Sequence, residues 1–447
     1  MPSLTPITHA QVSLPTRTDK PVHFNTSLLT AIPSSLRHWS SKRVILVASA
    51  GLARNTDTIS KLQSSLGSTL AATKLGIRPH TPYADVLDVL RLIREHDADA
   101  LVCIGSSSYS DCCKIARLLH YTLPADAELT VESMEALVDH ATGRTLSIPG
   151  SSDTDTKDLT LKLILCPTTL SASEYNAVSS ASNPKGKKQH FGTFEPRHDI
   201  YAPDVMICDP WVAATTPRDV WIMSGIRAVD HCVETFGSKG FSREGKETVL
   251  KGLRALVKGL WEYRRGEEEG EGVKKGDVGD VEGKAKEKEQ EDKDVLIHGI
   301  SSCQRGARDA ISGLVVHRST MGPSHAIGHQ LGSVGGVPHG LTSCIMLAPV
   351  LRYEKAHPDS KWWDVSAQAE IVDVFNEVLG WKETEAGDAV QRFVREMGMK
   401  TRLGEVGVEG EEMLGRIAEC TMTDVWGGGE CQLDGPEQVR EILEMVR

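Results

Sequence analysis

The first half of the chain alternates short, continuous apolar runs with segments of helical periodicity, and this alternation restricts the fold more than any other feature. The runs Arg43–Ala48, Asp99–Gly105 and Leu161–Cys166 are rich in valine, isoleucine and leucine. Uninterrupted apolar strands of this kind are typical of a parallel sheet that is buried on both faces. Between the first two runs, Asp57–Leu66 and Val86–Arg94 have apolar residues at helical spacing. The pattern predicts an open α/β sheet, whose ligands bind beyond the carboxyl ends of its strands.

After about residue 205 the strand-like runs largely disappear, and long amphipathic segments dominate the remainder of the chain. These segments are Asp219–Phe236, Lys246–Tyr263, Asp294–Met321 and Ser366–Leu379. We therefore predict a polar N-terminal tail at residues 1–21, an α/β domain at residues 22–204 and a helical domain at residues 205–447.

Three polar stretches interrupt these patterns. Residues 262–294 consist mainly of Glu, Lys, Gly and Asp and contain almost no large apolar side chain. Such a segment cannot bury enough surface to offset its ordering entropy, so we predict a charged, disordered insertion between two helices. Residues 140–160 and 180–200 are polar and rich in Gly, Ser, Asn and Pro, and we predict loops there.

Composition excludes several classes of partner. The net charge of −11 argues against a nucleic-acid partner, because proteins that bind nucleic acid usually present a basic surface. No apolar run is long enough to cross a membrane, and the N-terminal residues contain no apolar secretory core. The ten cysteines show no repeated CxxC spacing, which favours reduced thiols over a disulfide framework. These features predict a cytoplasmic protein that binds neither nucleic acid nor membrane.

The second apolar run ends in small residues and leads directly into a helix. The residues at this junction are Gly105, Ser106, Ser107 and Ser108, followed by Asp111 and Lys114. A strand that opens a helix in this way presents free backbone N–H groups and the positive end of the helix dipole to a phosphate. The spacing is not GxGxxG, so an ordinary turn capped by serine is the alternative.

Hydroxyl groups also follow the third run, in Pro167-Thr168-Thr169-Leu170-Ser171-Ala172-Ser173-Glu174. Hydroxyls at the carboxyl end of a strand can bind the amide or the phosphates of a cofactor. Alternatively, Ser171 and Glu174 fit a capping box at the start of the next helix.

Four histidines of the second half form a candidate metal or catalytic site. His325 and His329 lie four residues apart, so they share one face of a helix. His339 follows a Gly-rich turn, and His231 lies on an apolar-periodic helix of the same domain. Three imidazoles that converge can bind a divalent metal, whereas any single one could be an ordinary core or surface histidine.

With these motifs in order, the chain resembles the iron-containing alcohol dehydrogenase superfamily, and more closely its maleylacetate reductase branch. The resemblance extends from about Val22 to the C-terminus, apart from the charged insertion. The segments that carry it are His80–Pro82, Gly105–Ser108 with Asp111 and Lys114, Pro167–Glu174, Asp209–Pro210, Gly225–Glu234, His325–His329 and Pro338–Gly340. The seven-residue form of Thr168–Glu174 is similar to that of the reductase branch, because the alcohol dehydrogenases typically have one more residue there.

The resemblance implies a Rossmann-like dinucleotide-binding domain with a parallel sheet, an all-α C-terminal domain, and an active site in the cleft between them. It implies that Gly105–Ser108 and Asp111 face the cofactor pyrophosphate. Thr168, Thr169 and Ser173 would line the path to the ribose and the nicotinamide. The family often forms dimers, so a homodimer is the oligomeric state that the resemblance suggests.

The resemblance also places His231, His325 and His339 at metal-ligand positions and His329 at the substrate-side position. The family usually has an aspartate four residues before the first of these histidines, and this chain has Arg227 there. We expect the neighbouring Asp230 not to replace it, because adjacent helical residues point about 100° apart. A guanidinium repels a divalent cation, so tightly bound iron or zinc is not expected.

Arg227 indicates a different chemistry from that of a metal centre. It could bind a substrate carboxylate or stabilise an oxyanion, while His329 or His231 supplies a proton after hydride transfer. Alternatively, Arg227 points away into a surface ion pair with Asp230 or Asp219.

The identity of the cofactor is predicted from the end of the first strand. Ser49 occupies the place where enzymes that prefer NAD have an acidic residue for the adenosine ribose, and Arg54 is near in sequence. The cofactor is therefore NADPH or NADH, and these residues favour NADPH.

We accordingly predict an NAD(P)-dependent oxidoreductase that transfers hydride between nicotinamide and a small oxo or unsaturated oxo-acid substrate, or the matching alcohol. Two alternatives stay open. One is a metal-dependent alcohol dehydrogenase proper, and the other is a catalytically weakened relative that binds cofactor and serves as a scaffold.

Overall fold

The chain divides into two compact units, residues 4–216 and residues 217–447. The computed structural model describes residues 4–12, 19–139, 144–145, 160–176, 178–192, 202–272, 282–424, 426 and 433–447. The division lies after Thr216, whereas we predicted a boundary after residue 204. The reason is that Val205–Cys208 is a strand paired on both sides within the first unit.

The first unit contains a seven-stranded sheet, which confirms the predicted α/β fold. The strands described in this unit are β1 (Ile7–Ala10), β2 (Pro21–Phe24), β3 (Val44–Ala48), β4 (Leu70–Leu75), β5 (Ala100–Gly105), β6 (Val138–Asp139), β7 (Arg144–Thr145), β8 (Lys162–Pro167), β9 (Val178–Ser182), β10 (Lys188–Gly192) and β11 (Val205–Cys208). The large sheet has the order β1-β2-β11-β8-β5-β3-β4, and all its pairs except β1–β2 are parallel. Every residue of β3 and of β5 is buried, as their uninterrupted apolar character predicts.

Helices connect the parallel strands of this unit. They are α1 (Leu28–His38), α2 (Ala50–Asn55), α3 (Thr58–Leu66), α4 (Tyr83–Glu95), α5 (Ser107–Thr122), α6 (Val131–Glu135) and α7 (Pro210–Ala213). Among the described residues of both units, no helix combines the length and the apolar character that crossing a membrane requires.

The predicted polar tail is in part a strand. Ile7–Ala10 pairs antiparallel with Pro21–Phe24 at the edge of the large sheet, and Gln11 donates a hydrogen bond to the carbonyl of Pro203. A short strand with alternating polar residues suits such an edge position, because only one of its sides needs a partner. The prediction of a tail over residues 1–21 is therefore wrong for this segment, and residues 1–3 and 13–18 lie outside the described residues.

The predicted loop at residues 180–200 is wrong for its first part, because β9 and β10 pair antiparallel there. Burial alternates along both strands, with Ser179 and Ala181 inside on one and Gln189 and Phe191 inside on the other. This two-residue period is the signal for a strand, but small and polar residues at the buried positions concealed it. Residues 193–200 lie outside the described residues, as do residues 140–143 and 146–159 of the other predicted loop.

The second unit is helical in its described residues, as predicted. Its helices are α8 (Arg218–Gly237), α9 (Arg243–Gly272), α10 (Glu282–Val315), α11 (Pro323–Ser333), α12 (His339–Ala356), α13 (Ala367–Leu379), α14 (Ala386–Glu396), α15 (Glu411–Thr421) and α16 (Pro436–Glu444).

The long pair α9 and α10 corrects the prediction of a disordered insertion at residues 262–294, because residues 262–272 and 282–294 are helical. Glycines at intervals of seven lie where these two helices touch; they are Gly252, Gly259 and Gly266 on α9 and Gly299, Gly306 and Gly313 on α10. A Cβ atom on Gly259 would lie 2.5 Å from the carbonyl oxygen of Gly299. The backbones of the two helices therefore pack directly against each other, and Gly266, whose Cβ atom would lie 2.9 Å from Asp292 O, extends this contact into the charged segment. Residues 273–281 lie outside the described residues.

Candidate active site

The predicted cofactor residues of the first unit lie together at one edge of its sheet. Register pairs Gly105 with Pro167 and Ala48 with Ile104, so β3, β5 and β8 end side by side. Backbone hydrogen bonds join the segments that follow, from Thr168 N to Gly105 O at 3.0 Å and from Ser49 N to Ile104 O at 2.9 Å. Adjacent parallel strands have their carboxyl ends on the same side, which is where α/β proteins bind ligands.

The side chains at this edge have different local roles. Ser49 Oγ accepts a hydrogen bond from Leu52 N at 3.3 Å, so Ser49 caps helix α2. Ser106 precedes helix α5 without making a side-chain cap, and the side chains of Ser106–Ser108 are half-buried. The first amides of a helix have no intrahelical partner. The start of α5 therefore presents backbone donors, as a phosphate requires.

The capping box considered for Ser171 and Glu174 is wrong. Ala172 has a left-handed backbone conformation with φ of 62°, and Ser173–Tyr175 forms a single 3₁₀ turn without a side-chain cap. Ser173 Oγ instead donates to Ser107 O at 3.4 Å, which joins the loop after β8 to the start of α5. Glu174 is buried, and this burial raises its pKa to about 7.

Asp111 and Lys114 connect helix α5 to the segment that follows β8. Lys114 is buried, and its Nζ donates to Ser173 O at 2.6 Å and to Asn176 O at 3.0 Å. Asp111 accepts a hydrogen bond from Ser180 N and lies 3.6 Å from Lys114 Nζ. A buried ammonium needs such a counter-charge. The role that the resemblance implies for Asp111, facing the cofactor pyrophosphate, stays a prediction.

The four predicted histidines lie together in the second unit. His231 is on α8, His325 and His329 are on α11, and His339 begins α12. The ring centroids of His231 and His325 are 4.9 Å apart, those of His325 and His329 are 6.5 Å apart, and those of His329 and His339 are 5.8 Å apart. We call these four residues the histidine cluster.

Arg227 lies against the histidine cluster and is buried, so the alternative of a surface ion pair is wrong. Its Nη1 donates to Ser343 Oγ at 3.1 Å and lies 3.4 Å from Thr342 Oγ1. Its Nη2 lies 3.4 Å from Nε2 of His329. Helix geometry explains this placement, because Arg227 and His231 are one turn apart on α8 and share a face.

Two carboxylates beside the cluster were not predicted as site residues. Glu234 accepts hydrogen bonds from Gly322 N at 2.9 Å and from Ser324 N at 2.7 Å, so it caps α11, and it lies 2.6 Å from His325 Nδ1. Asp230 Oδ2 lies 3.4 Å from the same nitrogen. Asp230 therefore contacts the histidine cluster, while the expectation that it does not replace the family's aspartate as a metal ligand stays a prediction. The spacing of Arg227, Asp230 and Glu234 along one helix face could have indicated both carboxylates.

A third carboxylate, Asp424, contacts His329. Its Oδ2 lies 3.0 Å from His329 Nδ1 and accepts a hydrogen bond from Gln330 Nε2 at 3.1 Å. Burial raises the pKa of Asp424, but the contacts with His329 and the other donors outweigh burial and hold the pKa below its ordinary value. The carboxylate therefore fixes the orientation of the His329 ring and leaves Nε2 facing Arg227.

Burial determines the protonation of the two buried histidines of the cluster, His231 and His325, which we call the inner histidines. It lowers the pKa of His231 to about 3, and it lowers the pKa of His325 well below the ordinary value, with Arg227 adding to both effects. Burial also raises the pKa of Asp230 and of Glu234. Near neutral pH the inner imidazoles are therefore uncharged, and the side chain of Arg227 is the fixed positive charge among these residues.

Comparisons with known proteins agree with this arrangement. Residues 20–210 match the family model described as iron-containing alcohol dehydrogenase, and residues 307–446 match that of the C-terminal part of the Fe-containing alcohol dehydrogenase family. The dehydrogenase ALT3 of Alternaria alternata is 30% identical over 410 residues, which cover 86% of this chain and 94% of the relative. The dehydrogenase FUM7 of Gibberella moniliformis is 29% identical, with 86% of each chain covered.

The chain belongs to the iron-containing alcohol dehydrogenase family. Solved structures that share its fold include maleylacetate reductase from Agrobacterium tumefaciens, with a TM-score of 0.66, 17% identity, and coverage of 100% of this chain and 98% of the other. They also include sulfoacetaldehyde reductase from Bifidobacterium kashiwanohense in complex with NAD⁺, with a TM-score of 0.69, 17% identity, and coverage of 98% of both chains.

The family name implies a metal, and the donor set can be tested for one. Among the described residues, Asp230, Glu234 and His325 bring ligand atoms within 4.8 Å of one another. However, His325 Nδ1 and Glu234 Oε2 are only 2.6 Å apart, whereas two ligands of a tetrahedral zinc ion lie about 3.4 Å apart. These residues therefore do not fit an ion in this arrangement, and they contact one another instead.

The three predicted metal ligands His231, His325 and His339 offer imidazole nitrogens. His325 Nε2 and His231 Nδ1 are buried without a hydrogen-bond partner among the described residues, while His339 is exposed. Arg227 stands at the position where the family usually has its carboxylate ligand. A dication among these three imidazoles would be repelled by the guanidinium that stands where the family has a carboxylate, so the donor set does not fit a tightly bound metal.

Proposed function

We propose that this protein is an NAD(P)-dependent oxidoreductase that transfers hydride between a nicotinamide and a small oxo acid or unsaturated oxo acid, or the matching alcohol. The observation that carries the proposal is the buried Arg227 guanidinium, whose Nη2 lies 3.4 Å from His329 Nε2. A fixed guanidinium beside a histidine combines a binding group for a carboxylate or oxyanion with a group that can transfer a proton.

A nicotinamide dinucleotide would supply or accept the hydride. Residues Gly105–Ser108 would hold its pyrophosphate, because the start of α5 offers amide donors and half-buried hydroxyls. Thr168, Thr169 and Ser173 would line the path to the ribose and nicotinamide, since they follow the neighbouring strand β8. Lys114 holds the loop that contains Ser173 through its carbonyl groups.

The residues after β3 support NADPH over NADH. Ser49 caps helix α2 and brings no negative charge to the place where an acidic residue would repel a 2′-phosphate. The exposed Arg54 lies on the same helix.

Within the cluster, contacts and burial favour His329 over His231 as the proton-transferring residue. His231 is buried with a pKa of about 3, so near neutral pH it is an uncharged imidazole and lacks the second ring proton that a general acid donates. The side chain of His329 is 24% exposed and is oriented by Asp424. His329 would give a proton from Nε2 to the oxygen of the reduced product, and would accept it in the reverse reaction.

The described cysteines fit a cytoplasmic location, which we also propose. None of these nine forms a disulfide, and eight are buried. Reduced, buried thiols are usual in the cytosol, where disulfides are rare.

The function is tested by kinetics on a matched panel of substrates. The wild-type protein should oxidise NADPH in the presence of small 2-oxo or unsaturated oxo acids and discriminate against the corresponding neutral aldehydes and ketones. Replacement of Arg227 by methionine should lower kcat/KM for acids by at least about a hundredfold, because an unpaired buried carboxylate costs several kcal/mol. The loss on neutral carbonyl compounds should be much smaller.

Arg218→Met is the matched control, since Arg218 begins the same helix and pairs with Glu267 away from the histidine cluster. It should retain the preference for acids. If wild type binds neither NADPH nor NADH at high micromolar concentration, the oxidoreductase function is wrong. If Arg227→Met lowers activity on acids and neutral compounds equally, the carboxylate-binding role is wrong.

A further inference from the structure

We propose that Arg227 is the built-in cation of this site and replaces a divalent metal, so that the protein neither retains nor needs iron or zinc there. The inference deepens the proposed function and rests on it only for the reaction. Metal binding itself is tested without reference to turnover.

The first step of the argument is that the guanidinium is held in place by a chain of hydrogen bonds. Arg227 Nη1 donates to Ser343 Oγ at 3.1 Å, and Ser343 Oγ donates to Asp230 Oδ2 at 2.6 Å. Ser324 Oγ donates to the same carboxylate oxygen at 2.9 Å. Asp230 thus receives two hydroxyl groups, and one of them connects it to the arginine. This chain fixes the guanidinium beside the imidazoles.

The second step concerns space around the guanidinium. Helix α11 approaches it at Gly328, where a Cβ atom would lie 3.8 Å from Arg227 Nη1. Thr342 and Ser343 enclose the same nitrogen from α12 and are fully buried. The contacts with Thr342 and Ser343 on α12 and with His329 on α11 therefore hold the guanidinium beside the histidine cluster.

The third step concerns charge. Arg227 has a favourable coulombic interaction with Asp230 and Glu234, the two carboxylates beside the histidine cluster. Their remaining contacts are with serine hydroxyls, backbone amides and His325. A dication would compete with the guanidinium for this negative charge, and burial strengthens their mutual repulsion. The guanidinium of Arg227 thus already provides a positive charge beside these two carboxylates.

Metal content tests the inference directly. Purified wild-type protein and variants are stripped with chelator, incubated with Zn(II), or with Fe(II) under nitrogen, and desalted before elemental analysis. Wild type should retain no stoichiometric metal, and its melting temperature should not change with Zn(II) or chelator. Arg227→Asp should bind Zn(II) at least about a hundredfold more tightly than wild type, because it exchanges a repelling charge for a ligand.

Two further variants identify the site of that gain. Arg227→Asp combined with His325→Ala should lose the gained metal, because His325 supplies a nitrogen ligand. Arg218→Asp, a matched charge exchange elsewhere on α8, should gain no metal. Should Arg227→Asp fail to fold, wild type still decides the inference, since its retention of metal is measured separately. Stoichiometric Zn(II) or Fe(II) in wild type that His325→Ala abolishes would overturn the inference, as would unchanged Zn(II) affinity in a folded Arg227→Asp protein.

The design separates this inference from the proposed function. Metal-free wild type that reduces oxo acids with chelator present supports both. Metal-free wild type that binds no nicotinamide leaves the built-in cation standing and removes the function. Wild type that retains metal, and reduces oxo acids only when the metal is bound, removes the built-in cation and leaves the proposed function standing.

Discussion

At the scale of single residues, Asp424 orients His329, the residue proposed to transfer the proton. It lies 3.0 Å from His329 Nδ1, on the side of the ring away from Arg227. A carboxylate there requires the proton on Nδ1, and therefore leaves Nε2 as the atom that exchanges a proton with substrate. Asp424 acts through His329, so it is a positioning residue.

Replacement of Asp424 by asparagine should lower kcat about a hundredfold, since a positioned general acid contributes this order of acceleration. The amide can donate to Nδ1 and so favour the wrong tautomer. Steady-state kinetics should show the loss in kcat with the KM for NADPH unchanged. Gln330→Ala is the matched control, because Gln330 contacts Asp424 without contacting the reacting nitrogen. Equal losses in the two variants would show that Asp424 only maintains the fold.

The order and spacing of the histidines predicted which imidazoles come together, since two of them lie one helical turn apart. Asp424 was not predictable in the same way. It is almost a hundred residues from His329 in sequence, and no periodic pattern joins them. The roles of Asp230 and Glu234 were missed for another reason, because acidic residues on a helix usually face solvent.

At the scale of secondary-structure elements, the contact between α9 and α10 depends on glycine. A Cβ atom at Gly259 would lie 2.5 Å from Gly299 O and 2.7 Å from Cys303 Sγ. Backbone atoms cannot move aside as the end of a side chain can, so any larger residue must push the helices apart. The charged segment read as disordered contains the continuation of these helices, and composition alone did not show that backbone contact could replace side-chain burial.

The variant Gly259→Ala should lower the free energy of unfolding by about 2 kcal/mol, because overpacking outweighs the higher helix propensity of alanine. Urea denaturation followed by circular dichroism measures this change. Gly332→Ala is the control, since a Cβ atom there would meet its nearest neighbour, Val337 O, at 3.6 Å. That variant should be neutral or slightly more stable. A stable Gly259→Ala protein would contradict direct backbone packing.

At the scale of the whole molecule, the alternation of apolar runs predicted the α/β first half and the helical second half. The boundary was less predictable. Val205–Cys208 is one short strand among helical patterns, and its place between β2 and β8 comes from pairing with segments distant in sequence. Non-local pairing leaves little trace in a local pattern. The N-terminal strand pairs with β2, which is near in sequence, and was missed because its four half-buried and exposed residues form no apolar run.

Buried charges connect these remote segments. Asp204, just before β11, lies 3.0 Å from Arg117 on α5 and 3.3 Å from Lys20 beside β2, and it accepts a hydrogen bond from Leu163 N. Burial raises the pKa of Asp204, but Arg117 and Lys20 outweigh it, and the pKa lies below its ordinary value of 3.8. The ionised carboxylate thus holds together three parts of the first unit that are far apart in sequence.

A carboxyl group with a lowered folded-state pKa stabilises above its unfolded pKa and loses that contribution as pH falls. Asp204→Asn should therefore cost about 3 kcal/mol near neutral pH, as expected for breaking a buried ion pair, and progressively less below about pH 4. Urea unfolding of wild type and variant across this range measures the difference. Using the difference removes the contributions of all other titrating groups.

Glu174 provides a control of opposite sign in the same unit. Burial raises its pKa from 4.5 to about 7, so the folded state holds the proton more tightly than the unfolded state. Wild type therefore loses stability at this residue as pH rises from 4.5 towards 7, and Glu174→Gln should become more stable relative to wild type over that interval. The two variants should thus diverge from wild type in opposite directions near neutral pH. A cost for Asp204→Asn that does not shrink in acid would show that its packing, and not its charge, holds these segments together.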